Sequence, residues 1–66
     1  MKAKTEITII PSAELTAMRL SDLAGRKAVL VEEDLQPRHY GWWVSLIGPE
    51  YQGEREWFIP LASIVA

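Results

Sequence analysis

The chain has 66 residues with nine acidic and seven basic side chains, and it contains no cysteine. A chain of this length forms one domain, 1–66, and without cysteine it has neither a disulfide nor, with His39 as its only histidine, the usual zinc site. The formal net charge of −2 and the scattered basic residues argue against nucleic acid as a partner, because phosphates require clustered cations.

No stretch of the sequence resembles a signal peptide, and none approaches the roughly 20 apolar residues of a membrane span. We therefore expect a soluble cytoplasmic protein, complete from Met1, with no membrane partner, no metal and no cofactor. Without a disulfide or a structural metal site, so small a domain has to be stabilised by apolar packing or by a second copy of the chain.

The first twenty residues predict one strand and one ambiguous segment. Residues 5–10 alternate polar and β-branched side chains and end at Pro11, which indicates a first strand. Residues 12–20 contain helix-favouring side chains behind Ser12, a good N-cap, but they lack a continuous apolar stripe. A short helix and an irregular loop with one helical turn both remain open there.

The next segment alternates turns with one strand. Residues 21–27 have turn chemistry around Gly25, and residues 28–33 predict the second strand. Residues 34–41, which contain Pro37, predict a surface loop.

The third strand begins with the adjacent tryptophans of Gly41-Trp42-Trp43-Val44. Adjacent side chains on a strand point to opposite faces, so one ring can enter the core while the other meets solvent. The two faces consist of Trp42, Val44 and Leu46 and of Trp43, Ser45 and Ile47. We predict that Trp42 is the exposed ring.

The remaining residues predict two further strands. Residues 48–50 end the third strand, Gly53 marks a turn, and residues 55–59 form the fourth strand. Residues 60–63 predict a 3₁₀ turn before a closing strand at 64–65. Five short strands with close turns predict an all-β fold, a small five-stranded barrel with a long irregular or partly helical loop after the first strand.

Two segments resemble a known family. Part of the sequence looks like the second half of a Src homology 3 (SH3) domain. This part consists of residues 41–46, a hairpin, and Trp57-Phe58-Ile59-Pro60 through Val65. That family has a tryptophan pair, a distal hairpin, an aromatic-aliphatic-proline step, a 3₁₀ turn and a closing strand. The upstream run 20–31 is similar to its diverging turn and second strand, so the resemblance covers about residues 20–66.

The resemblance implies roles for individual residues. Trp42 matches the tryptophan that stacks on the ligand, Pro60 matches the proline of the same groove, and Ile59 and Val65 match core positions. The tyrosines of the family's groove are not matched, because Ile9 or Ile10 with Pro11 and Ile64 stand in their places. The resemblance thus implies the SH3-like fold more strongly than recognition of PxxP peptides.

Other aromatic and acidic residues extend this candidate site. Tyr40 and Tyr51 are predicted to border the groove beside Trp42, and Glu33 belongs to a predicted acidic rim that favours a basic peptide. The rim consists of Glu32, Glu33, Asp34, Glu50, Glu54 and Glu56, for which an ordinary solvated surface is the alternative. Trp57 is expected to be structural, and no nucleophile accompanies His39, so we expect no catalysis.

Three hypotheses about function remain open. The first is a non-catalytic module, a monomer or weak homo-oligomer, that binds a protein or peptide through Trp42, Pro60, Tyr40, Tyr51 and Glu33. The second is a structural subunit whose aromatic residues are covered in a homo-oligomer. The third is an oligomeric enzyme, since residues 57–64 are similar to the closing strand of type II dihydrofolate reductases.

Overall fold

The computed structural model describes residues 2–37 and 39–65, with the exception of the side chains of Gln36 and His39. Its elements are β1 Glu6–Ile9, α1 Ala13–Ala17, β2 Lys27–Gln36, β3 His39–Leu46, β4 Glu56–Pro60 and β5 Ile64–Val65, with 3₁₀ turns at Ser21–Leu23 and Leu61–Ser63. The strands form one antiparallel sheet in the order β4-β3-β2-β1-β5. The predicted small all-β fold with five strands is confirmed.

One apolar core draws on every strand. Alternate side chains of each strand enter the same cluster, as period-two geometry requires, so the sheet curves around a single interior. The strands contribute Ile7, Ile9, Ala28, Leu30, Trp42, Val44, Leu46, Ile59 and Ile64. The connection between β1 and β2 adds Leu15, Leu20 and Leu23. The closing strand therefore packs through Ile64, and the prediction that Val65 is a core residue is wrong because its side chain is exposed.

The ambiguous segment after β1 forms a short capped helix. The Ser12 hydroxyl accepts a hydrogen bond from the backbone N–H of Leu15 at 3.1 Å, which satisfies one free donor of the first turn. Ser12 also shares a hydrogen bond of 2.6 Å with the buried hydroxyl of Ser63. This pair ties the start of α1 to the second 3₁₀ turn.

The second and third strands form a longer hairpin than the sequence suggests. Cross-strand pairing continues to Gln36 and His39, so only residues 37 and 38 connect β2 to β3. The prediction of a surface loop over 34–41 is wrong, because Pro37 lies in a tight turn and does not interrupt a strand. A register shift between Leu30 and Glu32 marks a β-bulge, which bends the strand as it leaves the core.

Candidate functional site

The two tryptophans of β3 occupy opposite environments. Trp42 is only 6% exposed and belongs to the core, whereas Trp43 is 39% exposed. The prediction that Trp42 is the surface ring is therefore wrong. Pro60, the second residue expected in the groove, is also buried, at the end of β4 opposite Gly41.

The segment containing α1 packs beside Pro60 and contributes to the core that contains Trp42. The helix contacts both β4 and the 3₁₀ turn that follows Pro60. Its Leu15 is completely buried in the same cluster as Trp42. The connection between β1 and β2 thus closes the surface on which a groove was expected, and the apolar area of Trp42 stabilises the fold.

The exposed apolar side chains concentrate instead on the β2–β3 hairpin. Leu35 is 61% exposed and Tyr40 is 57% exposed, and these two residues are directly opposite each other across the ladder. Val31, at the bulge, and Trp43 are exposed on the same hairpin. We call these four residues the hairpin patch. Sequence reasoning named only Tyr40 as a binding residue, because it assigned Leu35 to a loop and favoured the wrong tryptophan.

The ring of Trp43 has defined neighbours on the outer face of the sheet. Its centroid lies 5.9 Å from that of Phe58 at an interplanar angle of 68°, an edge-to-face arrangement. Its Nε1 donates to Oδ2 of Asp34 at 3.2 Å. Gly41 lies under the same Phe58 ring, since an added Cβ would be 2.8 Å from Cζ of Phe58 and would collide with the carbonyl oxygen of Ile59. Trp43 is thereby held in place while part of it faces solvent.

An acidic run accompanies the patch. Glu32, paired with Trp43, lies on the outer face, and Glu33, paired with Trp42, lies on the same face as Leu35 and Tyr40. Both glutamates are exposed, and no hydrogen bond or ion pair joins either side chain to another residue of the described segments. The structure thus brings Glu33 and Tyr40 together on one face of the hairpin.

Tyr51 lies at the other end of β3, in the connection to β4. Its hydroxyl donates to Oδ2 of Asp22 at 3.1 Å, and its ring packs edge-to-face on Trp57 with 5.6 Å between centroids. Partial burial, followed by the hydrogen bond and negative charge of Asp22, raises the pKa of Tyr51 above its usual value. Trp57 also packs on the core and donates from Nε1 to the carbonyl oxygen of Glu54 at 3.0 Å. Tyr51 is therefore not part of the surface that contains Tyr40.

Groups with catalytic or metal-binding chemistry are few. Among residues 2–37 and 39–65, no three His, Asp or Glu side chains are grouped so as to hold a metal ion. The side chain of His39 lies outside the described residues. The single α-helix of the described segments has five residues, which is far too short to cross a membrane.

Comparison with models of protein families, with curated proteins and with solved structures gives no match to this chain.

Proposed function

We propose that the chain is a non-catalytic interaction module that binds a protein or peptide through the hairpin patch. One observation carries the proposal. Four of the seven large apolar side chains exposed among the described residues lie on the β2–β3 hairpin, within residues 31–43. Apolar surface concentrated on one projecting element is typical of interaction sites, whereas single exposed apolar residues are ordinary.

The arrangement of the patch supports this function. Leu35 and Tyr40 extend from the end of the hairpin, and Trp43 is an aromatic side chain fixed by Phe58 and Asp34. Aromatic residues whose rotamers are already fixed lose little conformational entropy when a partner covers them. Of the residues first expected to bind, Tyr40 and Glu33 remain in the proposed site. Trp42 and Pro60 leave it because they are buried, and Tyr51 leaves it because of its position.

We further propose an SH3-like barrel as the scaffold. The tryptophan pair of β3, the β3–β4 hairpin, the 3₁₀ turn Leu61–Ser63 and the short β5 follow one another in the order that the resemblance implies. The proposed ligand surface differs from that of the family, because Trp42 and Pro60, which match its groove, are buried. The cytoplasmic location stays a prediction from the sequence.

A homo-oligomer is the second candidate, because the hairpin patch of one copy could also be covered by another copy. Sedimentation velocity on the intact chain over a wide concentration range separates the two. We expect a monomer at every concentration. A dimer that dissociates when Leu35 and Tyr40 are both replaced by serine would favour the structural subunit instead. The enzyme hypothesis stays a prediction that a reductase assay with dihydrofolate and NADPH would test.

Peptide selection tests the interaction module directly. A displayed library of random peptides is selected on the immobilised chain, and the affinity of each selected peptide is measured. The double variant Leu35→Ser/Tyr40→Ser should lose at least tenfold in affinity, since two contacts of about 1 kcal/mol each would exceed that factor. The matched control Ile47→Ser/Leu61→Ser removes two equally apolar exposed side chains elsewhere and should bind normally.

Circular dichroism and NMR spectra establish that both double variants are folded before binding is compared. The proposal is wrong if the selected peptides bind both variants equally well, or if selection yields no peptide that binds the wild-type chain.

A further inference from the structure

We propose that the hairpin patch binds its partner by strand addition, with an extended basic segment pairing along the free edge of β2. This inference rests on the proposed function and specifies the partner class for the same site. It starts from the unequal lengths of the strands that flank β2.

The first strand covers only the beginning of β2. Residues of β1 pair with Lys27, Ala28 and Val29, and the last backbone bonds on this side of β2 join Leu30 to Lys4 and Thr5, just before β1. Beyond Leu30, β2 pairs with β3 on one side alone, as far as Gln36. Six residues of β2 therefore form a sheet edge that no other strand of the described residues covers.

The direction of the backbone groups along this edge follows from the ladder. Leu46 donates its N–H to the carbonyl oxygen of Arg55 in the direction of β4. The backbone N–H and C=O groups of the odd-numbered residues of β3 therefore point toward β2. Their partners include Asp34, opposite Gly41. In an antiparallel ladder, alternate residues bond to opposite sides, so Glu33 and Leu35 direct their N–H and C=O groups away from β3. Two donors and two acceptors thus face outward at the spacing that an added strand requires.

Side chains around the edge determine which kind of segment fits. Leu35 and Tyr40 offer apolar contacts on one face, and Trp43 offers an aromatic contact on the other. An extended peptide directs alternate side chains to the two faces of the sheet, so both contacts are available to one ligand. The glutamates at 32 and 33 lie on opposite faces of the same edge and have no described partner. A segment carrying Lys or Arg would place opposite charges beside both.

A second copy of the chain is a poorer occupant of the same edge. Antiparallel pairing of two β2 edges centred on Glu33 would place Glu33 opposite Glu33 of the other copy, and Glu32 opposite Asp34. Like charges directly opposite each other across a ladder are destabilising, and charged residues on an edge strand oppose such self-association. The same charges therefore disfavour a homodimer and favour a basic partner.

The test uses a capped heptapeptide with two adjacent lysines at its centre and valines elsewhere as the probe, because adjacent side chains of a strand reach both faces; it is titrated into the isotopically labelled full chain. We expect the largest amide shifts at Glu33 and Leu35, together with slower hydrogen exchange of both N–H groups in the complex. A peptide with glutamate in place of lysine should not bind detectably. The lysine peptide with every backbone amide nitrogen methylated keeps its charge but cannot donate backbone hydrogen bonds to β2. It should also fail to bind.

Matched charge variants measure the electrostatic contribution to the affinity for the lysine peptide. Glu32→Gln/Glu33→Gln should weaken binding of the lysine peptide about fivefold, because exposed charge pairs contribute modestly, and the loss should shrink at high salt. Glu50→Gln/Glu54→Gln removes the same charge from the β3–β4 connection and should leave the affinity unchanged. Asp34 is kept in both, since it accepts the hydrogen bond from Trp43.

Three outcomes would overturn the strand-addition inference. The first is equal weakening by the two charge variants, and the second is full binding of the N-methylated peptide. The third is shifts that cluster away from Glu33 and Leu35 in the wild-type chain. If library-selected peptides still depend on Leu35 and Tyr40, the interaction module stands and only its mode and charge preference are wrong. If they do not, both proposals fail.

Discussion

The two ends of β3 are held in different ways. At the β4 end, Arg55 donates to the carbonyl oxygens of Leu46 and Gly48 at 2.8 and 2.9 Å, and Arg26 donates to those of Ile47 and Pro49 at 3.1 and 2.6 Å. Guanidinium groups thus satisfy four consecutive carbonyl groups where the chain leaves β3.

At the β2 end, the hairpin has ladder bonds but few side-chain bonds. Among its described residues, a side-chain hydrogen bond joins Trp43 to Asp34, and the outward amide groups of Glu33 and Leu35 lie on the open edge. The connection to β4 is therefore built for stability, whereas the β2–β3 hairpin keeps backbone and apolar groups accessible. This contrast locates the proposed interaction surface without reference to any relative.

The adjacent tryptophans test the contrast between core and surface most strongly. Trp42→Ala should lower the free energy of unfolding by about 3–5 kcal/mol, because it removes the largest side chain from the core and leaves a cavity. Trp43→Ala should cost only about 1 kcal/mol, the value of its edge-to-face contact with Phe58. Chemical denaturation followed by circular dichroism measures both.

The milder variants Trp42→Phe and Trp43→Phe provide a comparison if Trp42→Ala does not fold. The assignment of Trp42 to the core is contradicted if the phenylalanine variant at 43 loses as much stability as the one at 42.

Removing the arginine contacts should lower the free energy of unfolding by less than Trp42→Ala does. Arg55→Met keeps an apolar stem but removes both charged donors from the carbonyl groups of Leu46 and Gly48, so we expect a loss of about 1 kcal/mol. Arg26→Met should behave similarly. Urea denaturation measures the change. Arg19→Met is the matched control, since the Arg19 side chain is exposed and makes no described hydrogen bond or ion pair, and it should remain within about 0.5 kcal/mol of the wild type. An equal loss in all three variants would show that charge, and not the carbonyl contacts, matters.

The parts of the fold that local physics determines were predictable. The alternation in residues 5–10 predicted β1, and the proline at 60 correctly indicated the 3₁₀ turn that separates β4 from β5. Ser12 was recognised as a cap, although the helix behind it remained one of two alternatives. These features depend on neighbouring residues, and tertiary contacts do not override them.

The location of the exposed ring was not predicted because a family resemblance outweighed the alternation of side chains. Trp42 shares its face with Val44 and Leu46, which already indicated the core, and Trp43 shares its face with Ser45. Trp42 also shares its core cluster with Leu15 of α1, which is far from it in the sequence. The length of the β2–β3 hairpin was missed for a different reason. The two residues between the strands are Pro and Arg in the sequence, and not the Asn-Gly signature of tight hairpins.

The tip of the β3–β4 connection offers the smallest and most local test. Tyr51 and Glu54 exchange two backbone hydrogen bonds of 3.0 Å around Gln52 and Gly53, whose φ angles are 51° and 80°. Positive φ at both central residues defines a type I′ turn, which favours asparagine before glycine. Gln52→Asn should therefore raise the free energy of unfolding by about 0.5 kcal/mol, seen as a higher urea midpoint at unchanged slope. Gln52→Ala is the control: both substitutions shorten the side chain, but alanine lacks the preference for left-handed backbone. If Gln52→Ala raises the free energy of unfolding as much as Gln52→Asn, backbone strain at this turn does not limit stability at the β4 end of β3.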